Sequence, residues 1–218
     1  MVMLSTCLLG QEDQQYELAP NHYPEGIYPT FESFLAVKPS RRKVSVEVRD
    51  VFKPKVKIVD PFIDNCYFYD QRTNKRIKNI FAISHAGSLY IRAKSVHDLL
   101  GDKKDRKLKV DHKDSFFRVI EQGEYLYLEG YFVKGGGIGF AIGSGPISVG
   151  TGGPREEFRG VAFDFERETF DIFRDCKDFN RFLALDYREM TFDCDNNQLP
   201  IDVVRDVLYE INTQSIKP

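Results

Sequence analysis

Residues 135–153, GGGIGFAIGSGPISVGTGG, contain nine glycines and no charged side chain. Charged residues make up 29% of the whole chain, so this stretch is set apart from its surroundings. Blocks with β-type alternation lie on both sides of it. Any fold must therefore accommodate a nearly side-chain-free segment between two strand pairs: a loop, closely packed glycine-rich strands, or a contact surface.

Spacing removes the nucleotide readings. A phosphate-binding loop needs Lys followed by Ser or Thr after its last glycine, and the run holds no lysine. The dinucleotide pattern G-x-G-x-x-G fails because Gly137 and Gly139 are followed by Gly143, one residue late. Beyond the run the chain continues with Pro154 and a hairpin pattern rather than a helix. Gly139 and Gly143 have the spacing of close-packed membrane helices. A spanning helix, however, needs about 20 mainly apolar residues, and this run is glycine-dominated and broken by Pro146. A looser membrane or partner contact stays open.

The rest of the chain reads as strands in the middle and helices at the end. Residues 12–40 form an extended lead-in with Pro20, Pro24 and Pro29, then a short helix capped by Thr30 with Phe31, Phe34 and Leu35 on one side. Val44, Val46 and Val48 alternate with polar residues as a half-buried strand. Arg41, Arg42, Lys43, Lys53, Lys55 and Lys57 make a basic edge, which suits protection of an edge strand better than nucleic-acid binding. Residues 65–70 read as a strand, and 77–84 with 88–93 as a hairpin through His85-Ala86-Gly87. Ser95 and Asp98 fit a capping box opening a helix that Gly101 ends. Residues 102–114 are dense in charge and read as a solvated loop or edge ribbon. Two further strand pairs are expected, 116–120 with 125–133 and 158–165 with 169–173. Asp175 is placed to cap a helix over 175–187. Pro200 suits the start of the last helix, whose Ile201, Val204, Val207, Leu208 and Ile211 form one apolar stripe. The expected class is α+β: mainly antiparallel sheet or a partly open barrel over 41–218, with two helices at the C-terminal end.

A chain of 218 residues with 42% hydrophobic content, 18 Phe and 11 Tyr can build a sizeable core. Its net charge of −2 creates no strong field toward nucleic acid. Residues 1–153 carry 22 basic against 18 acidic side chains, and 154–218 carry 9 against 15; solvated faces or an internal interface account for that.

Residues 1–11 resemble the end of a secretory signal, apolar and then small, running into the polar QEDQQYE. The first basic residue is Lys38, so the positively charged start of a signal is missing, which points to a true start upstream. Leu4-Ser5-Thr6-Cys7 resembles a lipoprotein box, although Thr before Cys fits it poorly. Export, to the periplasm, the envelope or the exterior, is the expectation. Of the remaining cysteines, Cys176 and Cys194 could close a loop after export, or stay with Cys66 as buried thiols. No C-x-x-C is present.

No catalytic, cofactor-binding or metal-binding residue can be nominated. His22, His85, His97 and His112 are scattered without ligand spacing. His85, at the expected hairpin tip, is the one worth testing. Ser144 lies in Gly-Ser-Gly but not in G-x-S-x-G. Asp193, Asp195 and Asn197 begin like a calcium loop, but its sixth position is Gln198 and its twelfth Val204. They read instead as turns that cap the final helix.

Three local patterns carry a resemblance: Gly26-Ile27-Tyr28-Pro-Thr-Phe31-Glu32-Ser-Phe34, Ile80-Phe-Ala-Ile-Ser-His-Ala-Gly87-Ser-Leu-Tyr90-Ile91, and Leu208-Tyr-Glu-Ile-Asn212. Together they resemble a loose group of uncharacterised exported proteins of Bacteroidetes. The resemblance implies export and supplies no activity or site residues.

Three function classes fit these features. The favoured one is a non-catalytic exported or envelope protein that binds a partner or ligand through its β surface, and it requires an exposed aromatic patch or groove. The second is a hydrolase, which requires convergent polar groups with perturbed pKa values in one pocket. The third is a membrane-peripheral or assembly protein acting through residues 135–153. No nucleic-acid partner and no cofactor are expected.

Overall fold

A computed structural model describes residues 23–40, 45–51, 53, 55, 57, 64–110, 112–134 and 155–214. The main path of the sheet runs β1 (Gly26–Tyr28), β5 (Ala82–His85), β6 (Ser88–Arg92), β8 (Phe116–Gln122), β9 (Tyr125–Lys134), β10 (Arg155–Asp164), β11 (Thr169–Ile172). Off this path, β2 (Val46–Asp50) pairs with β3 (Asn65–Asp70), which also pairs with β4 (Lys75–Arg76) and β8, while β7 (Leu108–Lys109) pairs with β9. All these ladders are antiparallel and the sheet does not close, so the α+β class holds in its open form.

Strand alternation sorts side chains into three cores. From β9, Leu126, Leu128 and Phe132 enter the largest, with Tyr28, Phe34, Phe117, Phe163 and Phe170. The intervening Tyr125 and Tyr127 face a second core built with the C-terminal helices. From β3, Cys66 and Phe68 join Val48, Ile83, Tyr90 and Phe116 in the third. The lead-in is therefore part of the sheet: β1 pairs with β5, and Tyr28 and Phe34 are fully buried. Thr30 caps α1 (Phe31–Leu35) in a reciprocal box with Ser33. Gly130 sits where Phe117 crosses β9; a Cβ there would lie 2.5 Å from the ring.

Helices α3 (Cys176–Asp186) and α4 (Ile201–Gln214) cover the second core. Asp175 caps α3 by accepting from Asp178 N, as its position predicts. The expected α4 stripe is buried at Val204, Leu208 and Ile211, contributing roughly 5–8 kcal/mol of apolar burial. Cys176 and Cys194 form a disulfide with Cα atoms 5.7 Å apart. Cys66 is a buried free thiol whose pKa burial pushes up.

Four local expectations change. The hairpin turn is Ala86-Gly87, both at positive φ (51° and 77°), and His85 is the last strand residue. The Ser95/Asp98 box is absent: strand β6 runs straight into α2 (Ala93–Asp98), so Asp98 ends that helix rather than opening it. Within residues 102–114 the edge-ribbon alternative holds at Leu108–Lys109, which pairs with β9, and the solvated-loop alternative fails at Asp105, which is 2% exposed. Asn197 caps α3 rather than the final helix, accepting from Lys177 N at 3.1 Å through its side chain and from Cys176 N at 3.4 Å through its carbonyl.

Candidate binding surface

On β3 the residues alternate with Cys66 and Phe68, so Tyr67 and Tyr69 point to the opposite face. Arg49 and Glu47 of β2 stand across from them, and Arg76 of β4 stands across from Tyr69. Each arginine reaches diagonally. Arg49 lies opposite Tyr67 but stacks 3.9 Å over the Tyr69 ring, and Arg76 lies opposite Tyr69 but stacks 3.8 Å over Tyr67. Such cation–π contacts are worth about 0.5–2 kcal/mol each and hold the guanidinium planes flat.

The two arginines differ in what else they hold. Arg49 donates to Glu47 at 2.6 Å and to Asn74 at 2.5 Å. Glu47 also binds Lys57 at 2.5 Å, and these two cations, Lys57 first, hold its carboxyl below the usual range. Arg76 has only two long contacts to the Tyr69 hydroxyl, at 3.4 and 3.5 Å, and no carboxylate within ion-pair distance among the described residues.

The row of rings continues. Tyr67 meets His112 edge-on at 6.2 Å. His112 shares a narrow cavity of about 10 Å³ with Asn65, Ser115 and Tyr131. Tyr131 of β9 lies opposite Phe158 of β10, with ring centroids 4.9 Å apart. These rings are 44% and 38% exposed, whereas Tyr127 on the same strand face is fully buried. The cause is the extent of α4. Its Arg205 reaches Glu129, one alternation short of Tyr131, and the helical cover stops there.

A second cluster lines a cavity of about 260 Å³ beside α3, with Asp102, Asp105, Asp171 and Asp178 around it. Arg174 contacts Asp102 at 3.4 Å, Asp105 at 3.0 Å and Asp178 at 2.8 Å. Burial pushes Asp105 up to about 6, against the pull of the Ile172 N–H and Arg174. Burial, then the charge of Asp164, raises Asp171 too. Asp178 is also desolvated, yet hydrogen bonds from Arg174 and Arg181 outweigh this and hold its carboxyl low.

The residues singled out by sequence do not converge. His85 Nδ1 lies 3.1 Å from Glu25, and its ring is edge-on to Phe68, both inter-element contacts. His97 lies in the last turn of α2 beside Asp98. His112 alone enters the stripe of rings. The basic edge is described only at Lys53, Lys55 and Lys57, all exposed. His22, Cys7, Ser144 and residues 135–153 lie outside the described residues. Lys134 and Arg155 stand opposite each other, so the chain leaves and rejoins the sheet at one place.

Among the described residues no group of three His, Cys, Asp or Glu side chains is placed to hold a metal, and no helix is long and apolar enough to cross a membrane. No protein-family model, curated protein or solved structure matches the chain.

Proposed function

We propose that this is a non-catalytic binding protein of the exported or envelope class that holds an extended ligand against its β surface. The observation that carries this is the continuous row from Arg49 through Tyr69, Arg76, Tyr67 and His112 to the exposed Tyr131–Phe158 pair. Exposed rings held by a rigid ladder provide contact area at low entropic cost. The Cys176–Cys194 disulfide is compatible with an oxidising compartment. Purified protein and a Tyr131→Ser/Phe158→Ser variant applied to glycan and peptide arrays test the reading. Binding that the variant loses while its melting curve is unchanged is expected. Equal binding by both proteins, or none by either, would sink it.

A hydrolase is the alternative, and the acidic cavity is what favours it. Asp105 is pushed up and Asp178 held down around one space, the pattern that separates a general acid from a charged partner. Turnover of chromogenic ester, phosphoester or glycoside substrates that disappears in Asp105→Asn would decide for it.

A further inference from the structure

Resting on that reading, we propose that the ligand is an acidic polysaccharide, with sugar faces on Tyr131 and Phe158 and a carboxylate or sulfate group at Arg76. The space along the stripe argues first for a polymer. The cavity between His112 and Tyr131 is about 10 Å³, far below the roughly 300–1,000 Å³ of small-ligand pockets, whereas Arg76 lines a hollow of about 370 Å³ with Asp70, Thr73, Lys75 and Lys78. A ligand that reaches both Arg76 and the Tyr131–Phe158 pair must therefore lie along the surface between them.

The chemistry of the two ends differs. Tyr131 and Phe158 offer exposed ring faces and edges, tilted by 52° to one another. Such surfaces suit the C–H face of a pyranose, which is apolar on one side and polar at its rim. Arg76 offers a planar, pre-oriented fork of donors that no carboxylate of the described chain occupies. Among the described residues, the other arginines that are at least partly buried each hold a carboxylate: Arg49 with Glu47, Arg92 with Asp114, Arg118 with Asp64, Arg159 with Glu157 and Arg174 with its aspartates. A partly desolvated guanidinium with no carboxylate in ion-pair reach among the described residues, on which Asp114 acts only from further off, is complementary to a planar or tetrahedral oxyanion.

Single-stranded nucleic acid also stacks on aromatic rings, but it carries a phosphate at every residue and calls for a groove of cations along its backbone. One guanidinium without an ion pair among the described residues, beside a row of rings, matches a ligand with sparse acidic groups. The net charge of −2 gives a polyanion no general attraction.

The test is binding of the whole purified chain to dextran bearing sparse carboxymethyl groups, dextran bearing sparse sulfate groups, unmodified dextran and poly(dT), by affinity electrophoresis and calorimetry. The carboxymethylated dextran stands for the carboxylate source and the sulfated one for the sulfate source; tighter binding to either than to dextran is expected. Arg76→Gln should weaken it roughly tenfold, with Arg76→Lys between the two, and Tyr131→Ala/Phe158→Ala should weaken dextran and the acidic polymers alike. Circular dichroism on each variant separates lost binding from lost fold, and the lysine variant carries the test if the glutamine one unfolds. Equal affinity for dextran, unchanged in both Arg76 variants, overturns the acidic-group assignment and leaves the β-surface reading standing. Binding to none of the four polymers overturns this proposal, and poly(dT) bound more tightly than either acidic glycan overturns it as well.

Discussion

Asn212 is hydrogen-bonded to the backbone of Tyr125 through both ends of its side-chain amide. Its Oδ1 accepts from Tyr125 N at 3.0 Å, and its Nδ2 donates to Tyr125 O at 3.1 Å. The last turn of α4 thereby satisfies the first residue of β9 as a neighbouring strand would, and Asn212 is 3% exposed. Gly123 permits the approach, since a Cβ there would lie 2.6 Å from Asn212.

Replacing Asn212 with Leu keeps the branched heavy-atom outline, with bulkier methyl ends, but leaves the Tyr125 N–H and C=O buried without partners. Each such group costs about 1–3 kcal/mol, so a loss of roughly 2–4 kcal/mol is expected in urea unfolding. An Asn212→Leu protein as stable as the parent would show that water reaches this junction.

Glu129 and Arg205 make the second tie between α4 and β9. The Glu129 side chain is 1% exposed; it accepts from Arg205 at 3.0 and 2.8 Å and from the Tyr127 hydroxyl at 2.7 Å. Arg205→Met strands a buried carboxylate, which costs about 3 kcal/mol in such settings; the 45% exposure of Arg205 brings the expectation to about 2 kcal/mol. Glu129→Met/Arg205→Met should cost less than the two single changes added together. A double-mutant cycle with no coupling would count against the pair as a structural unit.

How far the sequence reaches can be seen at these residues. Alternation placed β3 at Asn65–Asp70, and the 3.6-residue stripe placed α4 and its buried Val204, Leu208 and Ile211, because each signal lies within one short window. Asn212 falls beside that stripe, and nothing local marks its partner 87 positions away. Ser95 and Asp98 imitated a capping box because the true helix start, at Ala93, is fixed by the strand before it. The candidate surface was least legible of all. Arg49, Tyr67, Arg76, His112, Tyr131 and Phe158 come from six separate elements or loops, and only the sheet register makes them neighbours.

The disulfide joins the first residue of α3 to the turn at Cys194, closing a separation of 18 residues. A loop of that size gives about 3 kcal/mol of stabilisation in the chain-entropy picture. Cys176→Ser/Cys194→Ser should lose about that much, and amide exchange should quicken in residues 188–200 well before the sheet. Uniform loss of protection across β8 to β10 would mean that the bridge supports the whole fold and not one segment.

Asp105 sets the sign of the pH dependence between weak acidity and neutrality. Its carboxyl lies at about 6 in the fold and near 4 in an unfolded chain. A group raised on folding contributes stability that is complete below its unfolded value and is lost as pH rises through its folded one. Two units correspond to about 2–3 kcal/mol, lost between about pH 4 and pH 7. Asp171 and Glu121 are raised as well and act in the same direction. Asp178 is lowered, so its contribution is present above pH 4 and fades only in stronger acid. Urea midpoints from pH 4.5 to 7.5 should therefore fall as pH rises. Asp105→Asn should flatten most of that slope, because the amide oxygen can still accept from Ile172 N while nothing titrates. A wild-type midpoint that climbs toward neutrality would place the Asp105 carboxylate in a better-compensated site, with Arg174 neutralising it fully.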